Sequence, residues 1–556
     1  MKKRLVALAL AALMALSLLA GCGGQDKDSS GAKPGDSANQ GGDTQQSNPS
    51  QGGDTLKETG NISYPVDAGG KKLTVWCPLN PEASRHMASF NDHEVFQEVA
   101  KRTGIEVEFI HPANGQEAEQ LNLLIAGGEL PDILLIRRLY SGGAPAGVDE
   151  GYFLDLTDMM AEYAPDYYRA VTKDAESYRL ATTNDNKFTN FQILKQSAPQ
   201  FIRFNFMDTV VEKYGMDEMP ETIADYDALF AKMAADGLPA FAPVQNGRVD
   251  QLMWPYGIDT EYFLDTQGNV QFGPYTEAYK EYLTMMHDWY EKGYIHKDFN
   301  ATLSAGERMN MFINGEVGLY ITSCDNAFSN ARAIGHTISV ANYPRLNKGD
   351  VMPFENVYRD TVPLNNEPQT MVISKDCEDV ELAMAWINYF YTEEGATLCN
   401  WGIEGKTYTV DANGNKQYTD YMLKNPDVPL ADTNAALKVH LWPKLAEPDV
   451  ICNQQTISNP DALAIRSMYY DDATVNNSQH LPNFIMNTEA STARAKLQND
   501  ISTYVDEMTI KFITGATPLS EFDTYMETLR SLKIEEALQI TNDEYQIYLS
   551  KQVPVA

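Results

Sequence analysis

The length of the chain constrains its fold most. Residues 71–556 mix apolar and polar segments throughout, whereas a single hydrophobic core stops growing at roughly 250–300 residues. Independent folding units are usually smaller than this stretch. The sequence therefore predicts two lobes, each with a core of its own.

The beginning of this region has the pattern of a parallel α/β unit. Gly104 follows the first helical segment and is a typical helix terminator. Strands that alternate with helices in this way favour a parallel sheet. Segments with strand and helix periodicity alternate here, namely Leu73–Cys77, Phe96–Thr103, Ile105–Ile110, Ala118–Ala126 and Ile133–Ile136.

A second unit begins at the predicted strand Phe201–Asn205. A helix follows, and Thr222 and Asp225 have the spacing of a capping box at its start. A further amphipathic helix is predicted at Ala278–Lys292. Two turn dipeptides between alternating segments predict β-hairpins, namely Gly268-Asn269 and Asn413-Gly414.

The amino terminus has the organisation of a secretory signal peptide. Basic residues 2–4 precede an apolar run at Leu5–Ala20, which is shorter than the ~20 residues that a membrane-spanning helix needs. The end of this run, Leu-Ala-Gly-Cys22, resembles the lipobox of bacterial lipoproteins. That resemblance implies cleavage before Cys22 and attachment of lipid to this cysteine.

The stretch after Cys22 is rich in Gly, Ser, Asp, Gln and Asn up to about residue 70. Such a segment cannot bury enough apolar surface to offset its ordering entropy, so we expect a disordered tether. The predicted organisation is a signal peptide at 1–21 and a lipidated cysteine with its tether at 22–70. We therefore expect an extracytoplasmic protein, anchored by lipid to the outer face of the cell membrane.

The chain has a formal net charge of −34. A polyanion would be repelled by this charge, and no basic patch interleaved with aromatic residues opposes it. Nucleic acid is therefore excluded as a partner. The acidity is explained by the solubility of an exposed protein.

Cysteines beyond Cys22 show no close pair with the spacing of a metal site. They number five, so they cannot all pair internally, and most are expected to be small buried residues. One disulfide remains possible, but the sequence does not identify its partners. These cysteines are Cys77, Cys324, Cys377, Cys399 and Cys452.

Motifs of catalysis are missing from the sequence. There is no His-Glu-x-x-His, no Gly-x-Ser-x-Gly and no phosphate-binding loop. Asp411 to Asn415 begins like a calcium loop, but its glycine stands fourth and Met422 occupies the twelfth position. A hairpin turn explains this stretch better, and we predict neither an enzyme nor a cofactor.

Several segments, in the expected order, resemble family 1 extracellular solute-binding proteins. The resemblance covers most of residues 71–556, and the last two segments are similar to a subgroup of larger lipoproteins that bind oligosaccharides. The matching segments are Lys72–Trp76, Leu121–Ile133, Phe201–Asp208, Met219–Ile223, Met311–Tyr320, Trp386–Gly395, Gly402–Val410 and Leu519–Tyr525.

This resemblance implies a periplasmic-binding-protein-like α/β fold. Two lobes built from discontinuous segments would be joined by a hinge, with a ligand cleft between them. We assign 71–195 plus 305–375 to lobe 1 and 196–304 plus 376–556 to lobe 2. The resemblance also implies a partner, the permease subunits of an ABC transporter, and we expect a monomer.

A sugar site needs aromatic planes for stacking and polar side chains with fixed hydrogen-bond geometry. We therefore favour aromatic and polar residues at strand ends and in loops, where the family places its cleft. Trp254, Asp325 and Trp401 are the strongest candidates. The full set of predicted ligand-binding residues is Trp76, Asn80, Arg137, Tyr140, Trp254, Tyr256, Asp325, Asn326 and Trp401.

The expected function is capture of a carbohydrate, with an oligosaccharide favoured, by hinge closure and its delivery to the permease. Two alternatives remain open. One is a surface lipoprotein glycoside hydrolase, which would need two carboxylates at the scissile bond. The other is a receptor of the same kind for a peptide or another polar solute.

Overall fold

The computed structural model describes residues 59–136, 139–196, 202–301, 303–354, 361–363, 370–439, 442–447, 455 and 476–553. The predicted signal peptide, Cys22 as the predicted point of lipid attachment and most of the predicted tether lie outside these ranges. Arg137 and Cys452 lie outside them as well.

A five-stranded sheet has the order β2 (Glu106–Ile110), β1 (Lys72–Trp76), β3 (Ile133–Leu135), β12 (Thr370–Ile373) and β4 (Phe191–Gln192). β1 is parallel to β2 and to β3, whereas β12 is antiparallel to β3 and β4. The predicted parallel α/β unit is thus confirmed. The described strands are β1 (Lys72–Trp76), β2 (Glu106–Ile110), β3 (Ile133–Leu135), β4 (Phe191–Gln192), β5 (Leu194–Gln196), β6 (Ile202–Met207), β7 (Tyr262–Leu264), β8 (Val270–Phe272), β9 (Leu319–Ser323), β10 (Ile338–Ala341), β11 (Thr361–Pro363), β12 (Thr370–Ile373), β13 (Tyr408–Val410) and β14 (Lys416–Tyr418).

The helices of the described residues are α1 (Pro81–Ser84), α2 (Glu94–Thr103), α3 (Glu117–Gly127), α4 (Gly143–Asp149), α5 (Met160–Tyr163), α6 (Pro165–Val171), α7 (Ala175–Ala181), α8 (Asp208–Tyr214), α9 (Ile223–Ala235), α10 (Asp250–Met253), α11 (Glu277–Glu291), α12 (Ala305–Ile313), α13 (Cys324–Ala333), α14 (Val380–Tyr389), α15 (Glu393–Trp401), α16 (Asp420–Leu423), α17 (Leu430–Ala436), α18 (Thr488–Ile513), α19 (Phe522–Ser531) and α20 (Ile534–Ser550). None of these helices is both long and apolar enough to cross a bilayer.

Local sequence signals account for several element ends. Gly104 ends α2 in the left-handed conformation, with φ at 75°, which glycine adopts without steric cost. The side chain of Thr222 accepts from the Asp225 N–H and Asp225 accepts in return, which confirms the capping box of α9. Both predicted hairpins are confirmed by the antiparallel pairs β7-β8 and β13-β14.

A second, antiparallel sheet has the order β10-β6-β9. Each sheet lies in its own hydrophobic core. The first core draws on residues 73–194 and 371–442, and the second on residues 204–354 and 501–537. Both cores are therefore assembled from discontinuous stretches of the chain.

The cores divide the chain differently from the boundaries assigned from sequence. Residues 309–354 pack in the second core, because β9 and β10 pair with β6. Residues 377–442 pack in the first core, because α14 and α15 lie with the sheet that contains β12. Periodicity identifies a strand or helix but carries no information about which sheet it joins.

The carboxyl-terminal helix α20 touches both parts of the molecule. Its first residues, Ile534 and Ala537, belong to the second core. Its last turns pack through Tyr545 and Tyr548 on a smaller cluster that includes Leu180, from the segment that builds the first core. The helix thus connects the two cores along its length.

Candidate ligand-binding cavity

A cavity of about 710 Å³ opens beside α10. Its volume lies within the roughly 300–1,000 Å³ that is usual for small-molecule sites. Its wall combines aromatic rings with carboxylates, amides and a guanidinium. The lining residues are Asp250, Trp254, Asp259, Thr260, Glu261, Tyr262, Phe354, His480, Leu481, Pro482, Asn483, Phe484, Met486, Arg494, Ala495, Gln498, Asn499 and Ser502.

Trp254 provides a rigid aromatic plane in this wall. It follows α10 in a 3₁₀ turn that Gly257 ends in the left-handed conformation. The indole lies edge-on to Tyr343 at 5.0 Å between ring centroids and is stacked with Phe354 at 6.4 Å. Only 4% of Trp254 is exposed, so these neighbours fix its orientation.

The indole N–H of Trp254 is buried without a complete hydrogen bond among the described residues. The indole lies near the Asp259 carboxyl group, and its interaction with that group opposes part of the burial-driven rise in the pKa of Asp259. The nearby Asp259 carboxyl group thus faces a buried donor of the same wall.

Two carboxyl groups of the wall have perturbed acidity. Burial raises the pKa of Asp250 to about 6, and the negative charge of Asp259 adds to this rise. Burial also raises the pKa of Asp259, while the Thr260 N–H, which donates to its Oδ1 at 2.7 Å, partly offsets the effect. The wall thus contains carboxylates that are incompletely solvated.

Two arginines accompany these carboxylates: Arg248 acts on the pKa of Asp250, and Arg494 lines the same cavity. The Arg248 guanidinium donates to the Thr260 carbonyl oxygen at 2.7 Å and forms an ion pair with Asp506 at 2.7 Å. Arg494 lies over the ring of Tyr262, with its guanidinium carbon 5.5 Å from the ring centroid. Tyr262 in turn donates to Gln498 at 2.7 Å. Each of the two arginines is therefore held in place by contacts with neighbouring groups.

Of the residues predicted to bind ligand, Trp254 lines the cavity. Tyr256, two residues further on, is partly buried against the second core, and its hydroxyl contacts the Met285 sulfur at 3.3 Å. Asn326 is exposed on α13, where its side-chain oxygen accepts from Asn330 at 3.1 Å. Asp325 lies in the same helix.

The other predicted residues lie around the first core. Trp76 is buried at the end of β1, and Tyr140 packs against the same small cluster and donates to Glu150. Asn80 directly precedes α1, and its buried Oδ1 has no hydrogen-bond partner among the described residues. Trp401 is fully buried, with Tyr418 at 4.7 Å.

These residues do not form one cluster within the described part of the chain. Their assignment as ligand-binding residues stays a prediction, with Arg137 outside the described residues. Trp254 is the member that shares a cavity wall with other polar and aromatic groups.

Several lining residues were not predicted from sequence. Tyr262 begins β7 and Asp259 shortly precedes it, and the fold brings both to the same cavity as Arg494 of α18, more than two hundred residues further along the chain. A weak local signal existed, because Asp259 and Tyr262 follow the Pro/Gly-containing turn of Trp254. Nothing local marked Arg494, which stands in the first half of a long amphipathic helix.

Other candidate chemistries have a structural explanation in the described residues. Burial raises the pKa of the Cys377 and Cys399 thiols to about 12, so both are poor nucleophiles. Asp411 accepts from the Asn413 and Asn415 N–H groups at 2.8 and 2.9 Å within a hairpin turn. Among the described residues, no group of His, Cys, Asp and Glu has the arrangement of a metal site.

Two relatives are similar along most of their length. FusA of Streptococcus pneumoniae, a fructooligosaccharide ABC transporter substrate-binding protein, is 23% identical over 86% of this chain and 90% of its own. YtcQ of Bacillus subtilis, a polygalacturonan/rhamnogalacturonan-binding protein, is 20% identical over 80% of this chain and 86% of its own.

Solved structures share the fold. FusA in complex with kestose superimposes with a TM-score of 0.67 at 19% identity, over 87% of this chain and all of that one. The alginate-binding protein AlgQ2 gives 0.63 at 18% identity, over 85% and 98% of the two chains. These likenesses establish a periplasmic-binding-protein-like α/β fold. The bacterial extracellular solute-binding proteins match residues 88–397, more than half of the sequence, and this chain belongs to that family.

Proposed function

We propose that this protein is the receptor of a bacterial ABC importer that captures an oligosaccharide and leaves it chemically unchanged. The observation that carries the proposal is the cavity beside α10, where aromatic rings stand among carboxylate, amide and guanidinium groups. Sugars present apolar faces ringed by hydroxyls, and this combination of groups suits them. The names of FusA and YtcQ, which both specify glycans, support it.

The proposed motion is closure of the two cores about a hinge. Its support is the pairing of β5 with β11, in which Gln196 lies opposite Thr361 and Leu194 opposite Pro363. Both strands stand where the chain passes from one core to the other. In a hinge motion, a few residues in connecting strands of this kind change their backbone dihedral angles while the packed cores move as rigid bodies.

The proposed location is the outer face of the cell membrane, with Cys22 as the point of lipid attachment. The order of basic residues, apolar run and Leu-Ala-Gly-Cys supports it. LipO of Bacillus subtilis, named as a lipoprotein, is 22% identical over 55% of this chain and 62% of its own. The permease subunits would take the cargo from the closed form.

A glycoside hydrolase is the second candidate, and two carboxyl groups of the cavity favour it. Asp250 and Asp259 form a carboxyl pair in which the pKa of Asp250 is raised to about 6, as a general acid requires. A receptor places carboxylates in the same position to accept from sugar hydroxyls. Turnover distinguishes the two functions.

The test uses residues 22–556 with Cys22→Ser, which removes the predicted point of lipid attachment. Titration calorimetry against a glycan panel should give one site with a dissociation constant on the order of micromolar. Chromatography of the same samples after prolonged incubation should recover the glycan intact. Shortened products would overturn the receptor proposal, and tight binding of peptides with no glycan bound would redirect it to another solute.

A further inference from the structure

The lining of the same cavity also bears on the charge of the ligand, an inference that rests on the proposed function. We propose that the cavity selects neutral oligosaccharides and rejects anionic ones, because residues 250–261 present carboxylates to the ligand. Similarity does not decide this point, since the names of the relatives specify both fructooligosaccharide and polygalacturonan.

Two of the three carboxylates are shared by two neighbouring cavities. Asp250, Thr260 and Glu261 line the 710 Å³ cavity and also a second cavity of about 690 Å³. Glu261 is exposed, and Asp250 and Asp259 are partly buried. An anionic sugar in the first cavity would therefore meet the carboxylates of Asp250, Asp259 and Glu261.

Arg248 opposes part of the rise in the pKa of Asp250, but its guanidinium is shared with other acceptors. Arg248 is engaged by the Asp506 carboxylate at 2.7 Å and by the Thr260 carbonyl oxygen at 2.7 Å. Arg494 is the arginine that lines the first cavity, and it faces the ring of Tyr262. Three carboxylates against one guanidinium leave an excess of negative charge in the described wall, in a protein whose net charge is already −34.

Hydrogen-bond chemistry points in the same direction. The Asp250, Asp259 and Glu261 carboxylates of the lining are hydrogen-bond acceptors, and Asp259 already accepts from the Thr260 N–H at 2.7 Å. A sugar hydroxyl can donate to the remaining lone pairs of these carboxylates. A uronate carboxylate only accepts, so it offers them no donor.

The dependence of binding on pH should have opposite signs for the two classes of sugar. Protonation of Asp250, whose pKa is about 6, removes a charge-assisted acceptor for hydroxyls but also removes repulsion of an anion. Neutral sugars should thus bind more weakly as the pH falls, whereas anionic sugars should bind more tightly. The titratable and charged groups around Asp250 are Asp259, Glu261, Arg248, Asp506, His480 and Arg494.

The experiment uses pairs of trisaccharides that differ only at C6, where one member has a hydroxymethyl group and the other a carboxylate. Galactotriose with trigalacturonate and mannotriose with trimannuronate are suitable pairs, with kestose as a further neutral probe. Calorimetry at about pH 7.5 should show the neutral member of any pair that binds to be favoured by at least about tenfold. At about pH 5 this preference should shrink several-fold.

Variants test whether the wall is responsible. Asp259→Asn should raise the ratio of acidic to neutral affinity by about tenfold, because it removes one repulsive charge near the ligand. Glu261→Gln should move the ratio in the same direction by less, and its exposure makes loss of folding no concern. Asp420→Asn, an exposed carboxylate on α16, is the matched control and should leave the ratio unchanged.

The outcomes separate this inference from the function on which it rests. Tighter binding of an acidic trisaccharide than of its neutral counterpart would overturn the inference and leave the oligosaccharide receptor intact. Preference for an amino sugar over a neutral one would also overturn it. Binding of a non-glycan solute, with no glycan bound, would overturn both the inference and the proposed function. If the ratio of acidic to neutral affinity stayed unchanged in Asp259→Asn and Glu261→Gln, these carboxylates would not be responsible for the selection between neutral and anionic sugars.

Discussion

The side-chain amide of Asn184 donates to the carbonyl oxygen of Glu544 at 2.8 Å and to its carboxylate at 2.6 Å, across 360 residues of sequence. The same carboxylate accepts from the Asn487 backbone N–H at 3.0 Å and from its side-chain amide at 3.2 Å. Glu544 is 6% exposed. It therefore ties the carboxyl-terminal helix α20 to the segment that follows α7.

Replacing Glu544 with alanine should lower the free energy of unfolding by about 2–4 kcal/mol, because buried amide donors would lose their acceptor. Urea denaturation followed by circular dichroism measures this change. Glu527→Ala, at an exposed position of α19, is the control and should change stability by less than about 0.5 kcal/mol. Equal effects of the two variants would show that the contact contributes nothing specific.

Acid should destabilise the protein through His93. Burial lowers the pKa of His93 to about 4, and its Nδ1 accepts from the Val95 N–H at 3.2 Å, which requires the neutral ring. The unfolded state, with a pKa of about 6.5, binds the proton first as the pH falls. The stabilising contribution is thus complete above about pH 6.5 and is lost progressively down to about pH 4.

The matched variant is His93→Asn, which keeps a side-chain acceptor at the amino-terminal cap of α2 but does not titrate. Wild-type stability should fall between about pH 6.5 and pH 4 by up to about 3 kcal/mol more than that of the variant. Thermal unfolding at several pH values measures the difference. Parallel pH profiles of the two proteins would contradict the assignment.

Trp254→Phe should weaken binding of the preferred glycan by about tenfold, since it reduces the aromatic surface of the cavity wall and removes the indole N–H beside the Asp259 carboxyl group. Trp289→Phe is the control, because Trp289 is equally buried but donates to Asp227 at 3.1 Å, away from the cavity. Calorimetry at one temperature compares the two. A similar loss in both variants would mean that the effect is one of stability and not of ligand contact.

Cys22→Ser should release the protein from the membrane. Without the cysteine no lipid is attached, and a chain that is cleaved or secreted partitions into the aqueous fraction. Detergent phase separation and metabolic labelling with palmitate measure the anchor directly. Retention of the variant in the membrane fraction, or absence of label from the wild type, would contradict lipid attachment at this residue.

Segments with strong periodicity were predictable from the sequence. β1, β2 and β3 and the helices between them lie within a few residues of their predicted positions, because alternation and capping are local properties. The same holds for the Thr222–Asp225 capping box and for the two hairpins, whose turns are set by glycine and asparagine. The resemblance to the solute-binding family was likewise visible in the sequence, because it is carried by short segments that occur in the same order along the chain.

Only the tertiary structure decided how these segments combine. Residues 309–354 join the second core and residues 377–442 the first, and the Trp254 wall meets Arg494 from a helix that begins at Thr488. Local sequence determines whether a segment is a strand or a helix and which face is apolar. The choice of partner depends on packing between distant residues, and that free energy is not encoded in any single stretch of the chain.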